Sequence, residues 1–379
     1  MNILIAVTHL QRSNGGVCTH VIDLCRGLCK MGHNVILAAD STKNDYQKKI
    51  EQLIFLQKGK KNSFKFIQIS FLQAQNSLKD FLHVSYQVLQ IVKRENITLI
   101  HSHGQAICLV GVLIRGLTGV PFIWTNHIDE IARPKLFKKI LHVFKFPIIS
   151  VSSDLKKFLI QEYGVKEKRI FVVPNGIDME EFSPLSSDEK RRIKDRFDVE
   201  GKYVISILAR ITYGKGHNYL LKAISKVQQE VDIPQIKVLF AGELYDSFKY
   251  YLDQQLEYAK VNHIDVDFLG FQSPREIFGI SDLSVLPSIY EGFALTCLES
   301  LAMECPVIRS DTPGCSDMKD VCMVFPKKNV DKLAEEILHA IRHPEEMREM
   351  AIRGKAKVST FFTKEQMALQ TAQVYEQIL

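Results

Sequence analysis

The chain has 379 residues, 46% hydrophobic and 24% charged, with a formal net charge of +6. That length suits two domains of ordinary size, and that composition is globular, which argues against long disordered tracts. The longest apolar stretches, such as ICLVGVLI at 107–114, fall well short of the roughly 18 residues that a membrane span needs.

The opening MNILIAV lacks a basic leader and a small-residue cleavage site, so it is expected to be a first buried strand and not a signal peptide. THLQRSNGGVCTH follows, with Gly15 and Gly16 before an amphipathic helix expected over about 17–31. A glycine pair there lets backbone amides and a helix N-terminus approach an anion or a sugar; a plain flexible turn is the alternative. The eight cysteines include no CxxC pair. Cys18, Cys25 and Cys29 recur at helical spacing, as small buried hydrophobes do, which implies a reducing cytosol.

NVILAA, KFIQIS, TLIHSH, PFIWTNH and PIISVSS then read as buried strands, with helical patterns at 79–94 and 105–118 between several of them. That alternation predicts a parallel, doubly wound sheet. HSH at 101–103 places two imidazoles at strand spacing with no third ligand in view, so it is expected to be a strand end facing a cleft. His127 follows a strand end in WTNHIDE, where an ordinary loop residue is the simplest reading; Asp129 nearby receives no role. RPKLFKKILHVFKF at 133–146 sets Arg133, Lys135, Lys138, Lys139 and Lys145 among Phe137, Leu141, Phe144 and Phe146. On a helix this forms a basic, aromatic-rimmed face suited to an anionic membrane surface, or an amphipathic helix whose apolar side meets the core. Residues 1–180 hold 24 Lys and Arg against 13 Asp and Glu, whereas 181–379 hold 25 against 30. With an acidic second half and no recognisable binding module, nucleic acid is not an expected partner.

VVPNGIDMEEFSP at 172–184, with two prolines and an Asn-Gly turn, is the natural linker. The strand grammar restarts beyond it with YVISILAR, KVLFAG, VDFLG, LSVLPS and PVIRS. The fold class is therefore α/β, two tandem Rossmann-like doubly wound domains with an interdomain cleft, where ligands gather at strand ends. The expected boundaries are 1–172, 173–360 and a terminal helix over 361–379. LARITYGKGH places Arg210 at a strand end and Lys215 in a glycine-bracketed loop. Two fixed cations suit a diphosphate, and a solvated charged loop is the alternative. In SIYEGFALTCLES, Glu291 stands on the turn after a strand and Glu299 one to two turns into a helix. The amides of Phe293, Ala294 and Leu295 between them offer a phosphate site. Hydroxyls at both ends and phosphates in the middle describe a sugar nucleotide. DVD at 265–267 imitates a metal-binding DxD, but it runs into a short strand where the acids are spacers on one face.

Glu-x7-Glu in YEGFALTCLES, with ARITYGKG, VPNGID, the early GG and HSH, resembles the retaining nucleotide-sugar glycosyltransferases of sequence family four, which have the GT-B fold. The resemblance spans essentially the whole chain. It implies that Arg210 and Lys215 hold the donor diphosphate, Glu291 the transferred sugar and Glu299 the ribose. The amides of Gly292, Phe293, Ala294 and Leu295 would cover the phosphates. Gly15 and Gly16 would form the first domain's loop facing donor and acceptor, and His127 matches the family's histidine near the reacting sugar. The implied reaction moves a hexose or N-acetylhexosamine from a UDP- or GDP-linked donor to a glycan, a lipid-linked acceptor or a small metabolite. It is a front-face transfer with retention and needs no metal or other cofactor. Two positions depart from the family pattern: Ala294 stands where many relatives have a third glycine, and Ala209 precedes the arginine where glycine is common. The terminal helix crosses back to the first domain in relatives. A nucleotide-sugar epimerase of similar shape and a non-catalytic accessory subunit are the other readings. A cytoplasmic protein, peripheral on the inner face of the cell membrane if the basic face meets lipid, is the expected location.

Overall fold

A computed structural model describes residues 1–8, 10, 15–40, 45–57, 63–129 and 134–379. Arg133, at the start of the basic stretch, lies outside the described residues. Two compact units emerge, Met1–Gly176 with Lys364–Leu379, and Ile177–Thr363.

The first unit alternates β1 (Asn2–Ala6), α1 (Gly15–Lys30), β2 (Asn34–Ala39), α2 (Asp45–Gln57), β3 (Phe64–Gln68), α3 (Leu78–Arg94) and β4 (Leu99–Ser102). It continues through α4 (Gln105–Thr118), β5 (Phe122–Asn126), α5 (Pro134–Phe144), β6 (Ile148–Ser150), α6 (Ser153–Gln161) and β7 (Ile170–Val172). The strands pair in parallel in the order β3-β2-β1-β4-β5-β6-β7. Both faces are covered, as a parallel sheet requires. Along β1, Leu4 and Ala6 join one buried cluster with Trp124 and Phe137, while Ile3 and Ile5 join another with Cys25 and Tyr375.

The second unit runs α7 (Ser187–Arg196), β8 (Tyr203–Leu208), α8 (His217–Val227), β9 (Ile236–Ala241), α9 (Lys249–Val261), β10 (Val266–Phe268) and α10 (Pro274–Ile280). Then come β11 (Leu283–Leu286), α11 (Leu295–Ala302), β12 (Val307–Ser310), β13 (Met323–Phe325), α12 (Val330–Arg342) and α13 (Pro344–Phe361). Its sheet is also parallel, ordered β10-β9-β8-β11-β12-β13. The last helix, α14 (Lys364–Ile378), belongs to the first unit and lies against α1. Their approach is close: a Cβ on Gly27 would stand 2.3 Å from the Ala368 Cβ.

Two strands escape the sequence reading. β7 falls at the edge of the stretch taken as linker, and β13 is a three-residue strand that was not singled out, although β6 and β10 of the same length were read. The helix expected from Val17 begins two residues earlier, so Gly15 and Gly16 are its first residues and not a loop before it. Among the described residues all eight cysteines are free, and only Cys315 is not buried. Among the described residues no helix is long and apolar enough to cross a membrane.

Candidate active site

In each sheet the strand order reverses once, between β1 and β4 and between β8 and β11. Loops at such a switch point splay apart and leave room for a ligand at the carboxyl ends of the strands. The second unit places Arg210 and Lys215 after β8 and Glu291 after β11, on the two loops of its own switch point.

Glycine makes this geometry possible at two positions. A Cβ on Gly242 would lie 1.9 Å from the Ala209 carbonyl oxygen, so only glycine lets the end of β9 pass the residue before Arg210. Gly216, at φ +76°, would place a Cβ 2.1 Å from the Pro287 oxygen. The Ile289 amide donates to the Gly214 carbonyl at 2.8 Å, which ties the β8 and β11 loops together. In consequence the Lys215 ammonium donates to Glu291 Oε1 at 2.5 Å. Burial pushes the Glu291 carboxyl up, but Lys215 and the Arg309 guanidinium outweigh it and hold the group below its ordinary range. Glu291 is therefore an ionised acceptor, and Lys215 spends one of three donors on it. Arg210 has Tyr245 in reach. Burial and then Glu243 push that phenol up to about 12, against the opposing pull of Arg210, while the Tyr245 hydroxyl donates to Glu243 at 2.7 Å.

α11 starts at Leu295 with Ala294 as its cap and no side-chain cap hydrogen bond. Phe293, Ala294 and Leu295 are all buried, so the Ala294 methyl group is taken up by the packing around the turn. Glu299 is half-buried in the second turn. Sequence reasoning missed Arg309, an arginine 1% exposed in the middle of β12. Its Nη2 donates to the carbonyls of Thr312 at 3.1 Å and Pro313 at 3.0 Å. That fixes the loop whose Gly314 lies against Gly292 and Phe293, under the turn that carries Glu291. An arginine inside the apolar strand PVIRS was the signal.

In the first unit, HSH finds the partner that the sequence did not reveal. His20 on α1, His103 beyond β4 and His127 beyond β5 each offer a ring nitrogen, and these atoms lie within 4.8 Å of one another. His103 Nδ1 and His127 Nε2 share a hydrogen bond of 3.0 Å, and His20 Nδ1 donates to Asn175 Oδ1 at 2.9 Å. His101 is held by the hydroxyls of Tyr375 and Thr125, both at 2.6 Å. Burial lowers His20 to about 4, partly opposed by its Asn175 hydrogen bond. Burial and then the His20 charge lower His101 to about 3. His103 and His127 also sit well below the ordinary value, chiefly through burial. All four rings are neutral at physiological pH. Gly15 begins α1 and its carbonyl accepts from Tyr46 at 3.1 Å. A Cβ there would meet nothing within 4 Å, so packing alone does not demand a glycine. Gly16 is exposed beside it.

The two remaining sequence features resolve simply. Lys237 pairs with Asp265 at 2.6 Å and Asp267 at 2.9 Å, so the DVD acids are engaged in ion pairs. On α5, Phe137 stacks edge-on against Trp124, and Leu141 and Phe146 are buried with it. The apolar side of that helix thus meets the core, leaving Lys135, Lys138 and Lys139 with Leu136, Val143 and Phe144 outside.

Comparison with known proteins bears on both halves. The Glycosyltransferase Family 4 model matches residues 14–181, and the Glycosyl transferases group 1 model matches 188–357. An uncharacterised glycosyltransferase of Methanocaldococcus jannaschii is 26% identical over 344 residues, covering 84% of this chain and 83% of its own. A glycosyltransferase crystal structure from Rickettsia africae superposes with a TM-score of 0.85 at 19% identity, over 100% of this chain and 98% of that one. HepE of Anabaena, crystallised with UDP-glucose, has a TM-score of 0.80 at 18% identity over 100% of both chains. These likenesses establish the GT-B-like pair of Rossmann sheets. The chain belongs to the glycosyltransferase group 1, family 4 enzymes, a retaining family that transfers sugars from nucleotide sugars.

Proposed function

We propose that this enzyme moves a hexose or N-acetylhexosamine from a UDP- or GDP-linked donor to the hydroxyl of a glycan, lipid-linked or small-molecule acceptor. The observation that carries this reading is the Lys215–Glu291 ion pair at the switch point of the second sheet, one turn from the start of α11. Lys215 keeps two donors for phosphate oxygens while it orients Glu291, whose carboxylate accepts from sugar hydroxyls. Arg210 adds a second cation at the end of β8, and the amides of Gly292, Phe293, Ala294 and Leu295 complete the anion site. Glu299, deeper in α11, takes the ribose.

The anomeric carbon–oxygen bond to the diphosphate breaks while a bond to the acceptor oxygen forms on the same face. The acceptor proton passes to the departing phosphate oxygen. No protein nucleophile is required; positioning and stabilisation of the leaving diphosphate supply the catalysis. Arg210, Lys215 and the helix N-terminus neutralise that charge, so transfer needs no divalent ion. In the first unit Gly15 and Gly16 serve donor and acceptor, and His127 serves the reacting sugar. HepE was crystallised with UDP-glucose, which favours UDP over GDP in this reading. Lys135, Lys138 and Lys139 with exposed Leu136, Val143 and Phe144 suit the anionic inner face of a membrane, where a cytoplasmic enzyme meets lipid-linked acceptors.

The test offers the purified protein a panel of UDP- and GDP-sugars and follows thermal stabilisation together with slow donor hydrolysis. One donor class should raise the melting temperature and be hydrolysed with retained configuration. Return of the intact donor with an inverted sugar centre would point to an epimerase. No stabilisation by any donor would overturn the reading.

A further inference from the structure

We propose that His20, His103 and His127 bind one divalent transition-metal ion of the zinc class, and that its occupancy inhibits sugar transfer. The inhibitory half rests on the role given to His127 above; the binding half does not.

Three imidazoles from three separate segments converge so that one nitrogen of each lies within 4.8 Å of the others. A tetrahedral zinc ion with bonds of about 2.0–2.1 Å holds its ligand nitrogens roughly 3.3 Å apart, so small ring movements close the site. His103 Nδ1 is hydrogen-bonded to His127 Nε2 at 3.0 Å, which fixes the His103 ring and leaves its other nitrogen for an ion. His103 also carries the cluster's unsatisfied atom: its Nε2 is buried without a hydrogen-bond partner, in a residue 6% exposed. Such an atom costs stability unless something binds there.

The outer shell is in place as well. The side-chain amide oxygen Oδ1 of Asn175 accepts from His20 Nδ1 at 2.9 Å, which leaves the lone pair on Nε2. A ligating histidine is held in this way by its other nitrogen, fixing tautomer and ring orientation. Neutral imidazoles without a carboxylate favour zinc, copper or nickel over magnesium or calcium. Three protein ligands leave a fourth position open. His127 is the least buried of the three and provides the approach. An ion bound there occupies the His127 nitrogen and removes it from the sugar, so metal inhibits a reaction that does not use one.

Zinc chloride is titrated calorimetrically into the full chain, and cobalt(II) replaces it to read coordination from visible absorption. A second group, His339, His343 and Glu346, also offers three ligand atoms within 4.8 Å, but on the surface. The titrations are therefore made in a His343→Ala background. One ion should bind, with the intense visible bands of tetrahedral cobalt. His103→Gln should weaken binding at least a hundredfold. Asn175→Ala keeps every ligand and should weaken it about 10–100-fold. Circular dichroism confirms that each variant is folded.

No binding at micromolar zinc, or equal affinity in the parent and in folded Asn175→Ala, would overturn the site. Zinc should also slow donor hydrolysis reversibly with chelator, at a midpoint that rises in Asn175→Ala by the factor seen in binding. Tight binding with undiminished hydrolysis would overturn the inhibitory half alone. Because cobalt absorption needs no turnover, failure of the metal site and failure of the donor assignment give different results.

Discussion

Gly214 and Gly216 flank Lys215 at equal distance in sequence, yet the structure assigns them opposite tolerances for a methyl group. An alanine Cβ at 214 would have the Tyr290 Cδ2 as its nearest neighbour, at 3.6 Å, an ordinary contact. At 216 the backbone is left-handed, φ +76°, and the Cβ would stand 2.1 Å from the Pro287 oxygen and 2.8 Å from its carbonyl carbon. The left-handed conformation alone costs alanine about 1–2 kcal/mol. Relieving a backbone overlap of about an ångström adds about 1–3 kcal/mol by analogy with overpacked cores. Gly216→Ala should therefore lose about 2–5 kcal/mol, a fall in melting temperature of roughly 4–20 °C for a unit of this size. Gly214→Ala should change stability by less than about 1 kcal/mol, with a small gain the expected sign. The relief has to come from the β11 loop, which carries Glu291, so Gly216→Ala should also cut donor hydrolysis at least about tenfold. Thermal unfolding followed by circular dichroism, beside a hydrolysis assay, reads both effects. Equal melting temperatures for the two variants would refute the close approach of Gly216 to Pro287, and with it the way Lys215 is set against Glu291.

Three further outcomes follow from the same coordinates. Lys215→Ala leaves a largely buried carboxylate with Arg309 as its remaining cation, so the Glu291 pKa should rise; kcat/KM should fall about 10²–10³-fold, and a loss under threefold would remove Lys215 from the site. His217, buried against the rings of Phe240 and Tyr251, is lowered to about 3 by burial and then by Lys215. The unfolded chain then binds the extra proton between about pH 6.5 and 3, so stability is lost as pH falls through that window, by about 2 kcal/mol at pH 5. His217→Phe should flatten urea midpoints between pH 7.5 and 5 relative to the parent; identical slopes would refute the burial argument. Deleting 364–379 strips Met367, Ala368, Ala372, Val374 and Tyr375 from the first unit's core and frees His101 from its Tyr375 partner. At about 1.5–3 kcal/mol per buried apolar side chain, that loss should unfold the first sheet and shift Trp124 fluorescence to the red. A native spectrum would show that α14 is dispensable.

What the sequence made legible was periodic or motif-bound. Apolar runs five or six residues long located β1, β2, β8 and β9, and glycine-punctuated loops located Lys215 and Glu291. β7 went unseen because it runs into the proline-bearing stretch taken as linker; shortness does not account for β13, since the equally short β6 and β10 were read. Arg309 was legible as an anomaly, a cation in an apolar strand, but its partners are carbonyls of a loop whose path the sequence does not specify.

The histidines mark a different limit. HSH was visible as a pair, and what hid its partners was topology: β4 lies between β1 and β5 in the sheet, so residues beyond positions 102 and 126 become neighbours although 24 residues separate them. α1, which follows β1, brings His20 to the same strand ends. Four neutral rings in one small volume are costly for a fold to keep, since each buried nitrogen needs a partner. Hydroxyls satisfy both nitrogens of His101 and an amide satisfies one of His20, whereas His103 retains a bare nitrogen. The deficit falls on the ring that touches His127, the residue assigned to the sugar, and not on the ring that braces α14. A bare ring nitrogen thus lies beside the residue proposed to meet the sugar, while in the second unit Lys215 is held against Glu291 by one donor.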